Sequence, residues 1–485
     1  MKRRDFLKGT AIAALAGTGL CGLGISGCSR EFANDPDLPN VIFITADDLG
    51  WLDLSSFGNP DIETPNIDRL ADEGIRFTQA FVVASSCSPS RASMITGQYP
   101  HTNGVDSLTH VRFKKQLRPG YTTMPSLLKK RGYNTAIEGK WHVAPYFFTS
   151  WYGYRERLGG IALKSEDMWI KDTDLTMEFL ERNKDNRFYL ELNYMNNHRK
   201  DDGEFYFDED FPVDPEKVHV PDYWTLPDWE EIRLEVAKFY SQTLKMDSMI
   251  GEVLDKLDEL GIADETLVIF VSDNGPPFPG NKMTHYDRGT GTPLLMRWPE
   301  KIPAGLIYDG LVSTIDIMPT VLDAVGVEIP EELQGTSLWP VAMGVETGPV
   351  HDAVFNEMTY HVYYLPGRAV RTTKYEYIRN YSDIAKGLDQ CNHMEWAHRV
   401  CELPNQPWKS PRVPEELYDL RKDPNEQVNL VDDPAYAGVL DEMRALLDEH
   451  MEKTNDAYLG APFTHDYEEY KEIYEMVIPE EPADK

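Results

Sequence analysis

Four short runs of β-branched and aromatic residues, each ending in a cluster of polar side chains, constrain this chain more than any other feature. Val41-Ile42-Phe43-Ile44 runs into Asp47-Asp48, and Leu267-Val268-Ile269-Phe270-Val271 runs into Asp273-Asn274. Thr135-Ala136-Ile137 leads to Lys140 and His142, and Phe188-Tyr189-Leu190 leads to Asn196, Asn197 and His198. Runs without polar alternation suit strands buried on both faces, and helical segments between them predict an α/β sheet covered on both sides. Thr64-Pro65 to Gly74 and Thr123 to Gly132 carry helix-cap residues at both ends, and Asp228 to Gly261 reads as one long helix before the strand at Leu267. In open α/β sheets ligands bind beyond the carboxyl ends of the strands. Four such ends carrying acid–base and metal-type groups therefore predict one site at one sheet edge.

The N-terminus stands apart from this pattern. Arg3-Arg4-Asp5-Phe6-Leu7-Lys8 resembles a twin-arginine export signal, followed by an Ala/Gly-rich run from Gly9 to Ile25 too interrupted by Gly for a stable span. Ile25-Ser26-Gly27-Cys28 reads as a lipobox that would make Cys28 a lipid anchor; the alternative is a plain cleaved signal with an incidental Cys. Residues 1–28 are thus an expected export signal and 29–38 a tether, which places the protein in the periplasm or cell envelope. The 81 acidic against 48 basic residues, a formal charge of -33, disfavour a nucleic-acid partner. Five Cys in 485 residues exclude a disulfide-stapled scaffold, and no Cys-x-x-Cys pair suggests zinc. Cys391 and Cys401 read as a disulfide or as buried thiols. The acidic run from Asp466 reads as a solvated tail.

Cys87-Ser88-Pro89-Ser90-Arg91, continued by Thr96-Gly97, is the sharpest local motif. Pro89 at the first helical position and Gly97 at the end would put Cys87 at the N-terminus of a short helix, where free N–H groups and the dipole favour an anion. Asp47, Asp48, Asp273 and Asn274 are hard oxygen ligands suited to Ca2+. Taken singly, an Asp-Asp or an Asp-Asn-Gly is a turn, and a His after a strand is a packed or surface residue. It is their joint arrival at one edge that points to chemistry. His101, His110, His219 and His285 have weaker cases, with His101 and His285 as pocket wall.

On these residues the chain resembles the type I sulfatases of the alkaline phosphatase superfamily, in which the motif Cys is oxidised to formylglycine. Asp47-Asp48, Gly139-Lys140-Trp141-His142, Ser272-Asp273-Asn274-Gly275 and Lys282 with Tyr286 occur in the family's order. Arg368-Ala369-Val370-Arg371 and Glu416-Leu417-Tyr418-Asp419-Leu420 look like its C-terminal subdomain. The resemblance implies an alkaline-phosphatase-like catalytic domain over 39–365, a large central sheet flanked by helices. A smaller α+β subdomain would follow over 366–485, with a short antiparallel sheet and a helix around Ala435–Met451. It implies one Ca2+ held by Asp47, Asp48, Asp273, Asn274 and the modified Cys87, and a formylglycine-generating maturase as partner. One hydroxyl of the hydrated Cys87 aldehyde would attack sulfur while Arg91, Lys140 and Lys282 neutralise the oxyanions. His198 would protonate the leaving group, and His142 would take the other hydroxyl's proton and eliminate sulfate.

Within the family, Ser272 to Pro279 and Asn197-His198-Arg199 look most like the heparan N-sulfatase branch, the N-sulfoglucosamine sulfohydrolases. Two positions depart from it: Asn196 stands where that branch has Asp, and Lys282 where an Arg is expected. Sulfate esters of a glycosaminoglycan or an algal-type polysaccharide fragment therefore compete with a sulfamate as substrate. Attraction for a polyanion would be local to Arg91, Lys140, Arg199 and Lys282. The aromatics Tyr146, Phe147, Phe148, Trp151, Tyr152 and Tyr154 read equally as sugar subsites or as core. Two other readings stay open: a phosphonate or phosphodiester hydrolase of the same superfamily, and a catalytically silent glycan-binding lipoprotein.

Overall fold

The computed structural model describes residues 38–110, 115–159, 168–362, 364–383, 391, 394–404 and 411–464. The expected export signal with Cys28, almost all of the tether and the tail from Asp466 lie outside the described residues. Among the described residues no helix is long and apolar enough to cross a membrane.

Eight strands form the larger sheet: β1 (Asn40–Ala46), β2 (Ile75–Phe81), β3 (Asn134–Gly139), β4 (Glu156–Arg157), β5 (Phe188–Tyr194), β6 (Thr266–Ser272), β7 (Leu294–Arg297) and β8 (Leu306–Ser313). Their order is β4-β3-β5-β1-β6-β7-β2-β8, and pairing is parallel except at β7, which runs against both β6 and β2. The four apolar runs are β1, β3, β5 and β6, neighbours at the centre, which is why they lack polar alternation.

Successive residues of β1 serve opposite faces. Ile42 and Ile44 pack with Leu190, Leu192, Val268 and Phe270 beneath helices α1 (Pro65–Asp72), α4 (Asp174–Asn183) and α5 (Glu230–Leu260). Val41 and Phe43 pack with Tyr189, Ile269 and Val271 beneath α2 (Cys87–Thr96), α3 (Met124–Arg131) and α6 (Ile317–Ala324). The cap residues fall where the sequence puts them. Thr123 and Ser126 form a reciprocal capping box at α3, and Gly132 and Gly261 take the left-handed conformation that ends α3 and α5.

A second, antiparallel sheet of order β12-β11-β10-β9 comprises β9 (Ala353–Tyr360), β10 (Tyr364–Thr372), β11 (Tyr375–Asn380) and β12 (Glu415–Asp419). Helix α7 (Ala437–Thr454) covers it through Leu440, Met443, Leu447 and Met451 against Val370, Tyr377 and Leu417. This sheet begins at Ala353, and residue 365 lies inside β10.

Candidate active site

The polar clusters after β1, β3, β5 and β6 meet at one end of the larger sheet, joined by α2. Asp47 and Asp48 leave β1 through a sharp turn in which Asp48 takes φ +60. This turn is laced to the end of β6. The Asp48 N–H donates to Asp273 Oδ1 at 3.1 Å, the Leu49 N–H to Ser272 Oγ at 3.0 Å, and the Asp273 N–H to the Ala46 carbonyl at 3.1 Å. Register between parallel neighbours therefore brings four carboxylate or amide side chains together.

Helix α2 begins at Cys87 itself, with Ser86 as the capping residue and Gly97 ending it at φ 64. Pro89 is thus two residues further into the helix than the expected first position. It still falls in the first turn, where its missing N–H has no intrahelical acceptor to lose. Cys87 remains at the N-terminus, its Sγ 3.9 Å from Asp47 Oδ1. Ligand atoms of Asp47, Cys87 and His198 lie within 4.8 Å of one another, as do those of Asp47, Asp48 and Asp273.

The expected cations converge on the same carboxylates. Lys140 donates to Asp47 Oδ2, Arg91 Nε to Asp273 Oδ2 at 2.7 Å, and Arg91 Nη2 lies 3.4 Å from Asp47 Oδ2. Lys282 Nζ approaches Asp48 at 2.7 Å. All of these groups are buried. Burial pushes Asp47 up, but Lys140, His198, Arg91 and Lys282 outweigh it and hold the carboxyl well below the usual range. Burial takes Asp48 up to about 7, with Lys282 opposing and Asp47 and Asp273 repelling it. Asp273 is also raised, by burial first, against Arg91.

The Cys87 thiol is pushed up to about 12 by burial, only partly offset by Lys140 and Lys282. The two histidines are held neutral: burial and Lys140 bring His198 down to about 3 and His142 well below the ordinary value. His198 Nδ1 lies 2.6 Å from the Arg199 carbonyl, which can only accept, so Nδ1 carries the proton and Nε2 is the lone-pair nitrogen.

These residues fit a hard divalent cation. Asn274 donates through Nδ2 to Asp48 Oδ1 at 2.7 Å and to the Gly275 carbonyl, yet its buried Oδ1 has no partner among the described residues. Three carboxylates that repel one another, plus an orphaned amide oxygen, form the all-oxygen donor set that Ca2+ takes.

Other sequence-stated groups fall elsewhere. Arg199 does not face the site: its guanidinium is fully buried over the Phe205 ring at 3.9 Å and pairs with Glu235. His101 meets Glu357, and His285 Nδ1 meets Asn356, both partners on β9. Both therefore lie against the antiparallel sheet. His219 is exposed beside Asp61, and the Cys391 thiol points at the Pro277 carbonyl, 3.2 Å away. The aromatics after His142 divide. Phe147, Phe148 and Trp151 are exposed, with Phe148 and Trp151 stacked at 4.0 Å, whereas Tyr152 and Tyr154 are buried.

Two features escape the sequence reading. His110 Nδ1 lies 2.8 Å from His142 Nε2, a contact no local pattern marks. Behind Arg91, Nη1 donates to Asn193 Oδ1 at 3.1 Å, and Asn193 Nδ2 donates to Glu191 at 2.8 Å. Glu191 also accepts from Tyr189, at 2.8 Å, and from Tyr154. Two polar residues two apart in an otherwise apolar strand share one face, and that spacing is the signal that could have disclosed this network. Glu191→Gln would set an amide donor against donors. It should lower kcat/KM roughly tenfold and cost about 1–3 kcal/mol of stability. Steady-state kinetics beside thermal unfolding checks this, and unchanged kinetics in a destabilised variant would reduce Glu191 to a core residue.

Comparison with known proteins completes the picture. The sulfatase family model matches residues 39–327, and the model of the N-sulphoglucosamine sulphohydrolase C-terminal region matches 280–389. Human N-sulphoglucosamine sulphohydrolase is 30% identical over 469 residues, covering 87% of this chain and 92% of the relative. An ulvan-active sulfatase of Formosa agariphila is 29% identical over 84% of this chain and 78% of its own. The solved structure of a 2-O GAG sulfatase superposes with a TM-score of 0.68 at 24% identity, over 88% of this chain and 95% of that one, a likeness of fold.

Proposed function

The chain belongs to the sulfatase family, and from that premise we propose that it hydrolyses sulfamate or sulfate-ester groups of a sulfated carbohydrate, with N-sulfated glucosamine first among them. The observation that carries this reading is the meeting of Cys87 at a helix N-terminus with Arg91, Lys140, Lys282 and His198 around one buried carboxylate cluster.

Asp47, Asp48, Asp273 and Asn274, with the modified Cys87, would hold Ca2+, which when bound supplies positive charge against a sulfate oxygen. Cys87, converted by a maturase to formylglycine, would supply the attacking hydroxyl as the hydrate of that group. The chain's own residues do the rest. The α2 N-terminus and Arg91 face the anion, and Lys140 and Lys282, both buried, neutralise its oxygens. His198 delivers a proton to the leaving atom through Nε2, which carries one only as imidazolium. The arriving sulfate supplies the negative charge that raises its basicity. His142, kept neutral and seated against His110, would take the proton of the second hydroxyl as the bond to sulfate breaks and sulfate leaves.

Buried Asn196 Oδ1 has no partner among the described residues, so it can accept from the N–H of a sulfamate, as an Asp there would. The exposed Phe148–Trp151 stack offers a face for a neighbouring sugar. The likeness to an ulvan-active sulfatase favours a second reading, an O-sulfate on an algal-type glycan. Export as a lipid-anchored envelope protein rests on the N-terminal motif, and mass spectrometry of the native N-terminal peptide tests lipid on Cys28.

Protein co-produced with a maturase is to be assayed for sulfate release from glucosamine N-sulfate, glucosamine 6-O-sulfate, a 2-O-sulfated uronate and an algal sulfated oligosaccharide, with a phosphodiester control. Release from the N-sulfated sugar is expected. Release from the algal oligosaccharide alone selects the second reading, release from the other O-sulfated sugars alone discards the sulfamate and keeps the sulfate ester, and turnover of the phosphodiester alone defeats both readings.

A further inference from the structure

A second group of carboxylates lies in the seam between the two sheets, away from the catalytic cluster. Glu376 is on β11, directly across from Arg371 on β10 and Tyr418 on β12. Asp287 follows Tyr286 in the chain after β6, and Glu426 lies in the loop after β12. Ligand oxygens of Asp287, Glu376 and Glu426 fall within 4.8 Å of one another, a spacing that one ion between them can bridge with a small inward movement of the side chains.

The charges there do not balance. Arg371, the expected cross-strand partner of Glu376, reaches past it to grip Asp287 with Nε at 2.7 Å and Nη2 at 2.9 Å. Arg288 Nη1 stands 3.5 Å from Glu426 Oε2, which also accepts the Asp287 N–H at 2.9 Å. Two guanidinium groups therefore face three carboxylates. Glu376 is fully buried with its carboxyl beside that of Glu426, and neither of its oxygens meets a donor among the described residues; Glu426 Oε1 equally meets none. A proton shared between the two glutamates would satisfy two of these three oxygens and leave the third buried and bare. A hard cation satisfies all three and supplies the missing positive charge.

We propose that Asp287, Glu376 and Glu426 form a second divalent-cation site, of Ca2+ type, that ties the β9–β12 sheet to the segment carrying Asn274 and Lys282. The all-oxygen donor set excludes soft metals. Burial, with Glu426 beside it, holds Glu376 well above the ordinary carboxyl range, and burial takes Glu426 up to about 7.

Wild type and Glu376→Gln are loaded with Ca2+, freed of excess ion and analysed for metal per chain by elemental mass spectrometry. Wild type should carry one ion more than the variant, and Ca2+ should raise its melting temperature by several degrees more. In chelator the variant should melt no lower than wild type, because neither protein then has an ion to lose. Equal metal content and equal Ca2+ response would overturn the site in favour of a shared proton. Should the variant fail to fold, the wild-type count decides: no ion beyond that of the Asp47 cluster overturns the proposal.

Discussion

Cys87→Ala is expected to abolish sulfate release, lowering kcat/KM by a factor on the order of 10^5 or more, as loss of a covalent nucleophile does. The same loss is expected of the unchanged sequence made in a host without a maturase. In the structure the thiol is buried and pushed up to about 12, so at neutral pH it is a protonated and poor nucleophile. Its position is nonetheless the right one for attack, 3.9 Å from Asp47 and at the N-terminus of α2. Position without reactivity is what a site awaiting modification would have. Activity should therefore track the fraction of the Cys87 peptide that mass spectrometry finds converted to the aldehyde. Substantial turnover by the alanine variant, or by fully unmodified protein, would sink the formylglycine reading and transfer attack to water. Cys87→Ser sharpens the comparison, since it restores one hydroxyl but cannot form a hydrate.

The central strands and most of the site were legible because the signals for both are local. β1, β3, β5 and β6 are apolar on both faces, so their runs stand out, and each polar cluster begins within a few residues of its strand's end. Contacts that depend on distant pairing were not legible. His101 and His285 owe their places to Glu357 and Asn356 on β9, a strand whose docking no local pattern encodes. Arg199 was misplaced for a related reason. Its neighbour His198 does reach the site, but the turn after β5 sends the next side chain the other way, into Phe205, Phe278 and Glu235. Glu376 reads as an ordinary strand residue until Arg371 is seen to be occupied by Asp287.

His198→Ala should separate substrates by their leaving groups. For a sugar sulfate or sulfamate the departing atom needs a proton, and loss of the general acid should lower kcat by roughly 10^2 to 10^4. For an aryl sulfate, whose phenolate leaves unaided, the same variant should lose less than about tenfold. The structure supplies the reason for assigning the proton to this residue and this atom. Nδ1–H is engaged by the Arg199 carbonyl at 2.6 Å, so Nε2 is left to serve the substrate. Burial and Lys140 hold the free side chain near pKa 3, so the acid form exists only once an anion has bound. Wild-type kcat on the sugar substrate should accordingly fall as pH rises through the pKa of the bound complex, because the protonated ring is the working form. The variant should lose that basic limb. Equal losses on sugar and aryl substrates, or a limb that persists in the variant, would remove His198 from the leaving-group side and reassign the proton to Lys282 or solvent.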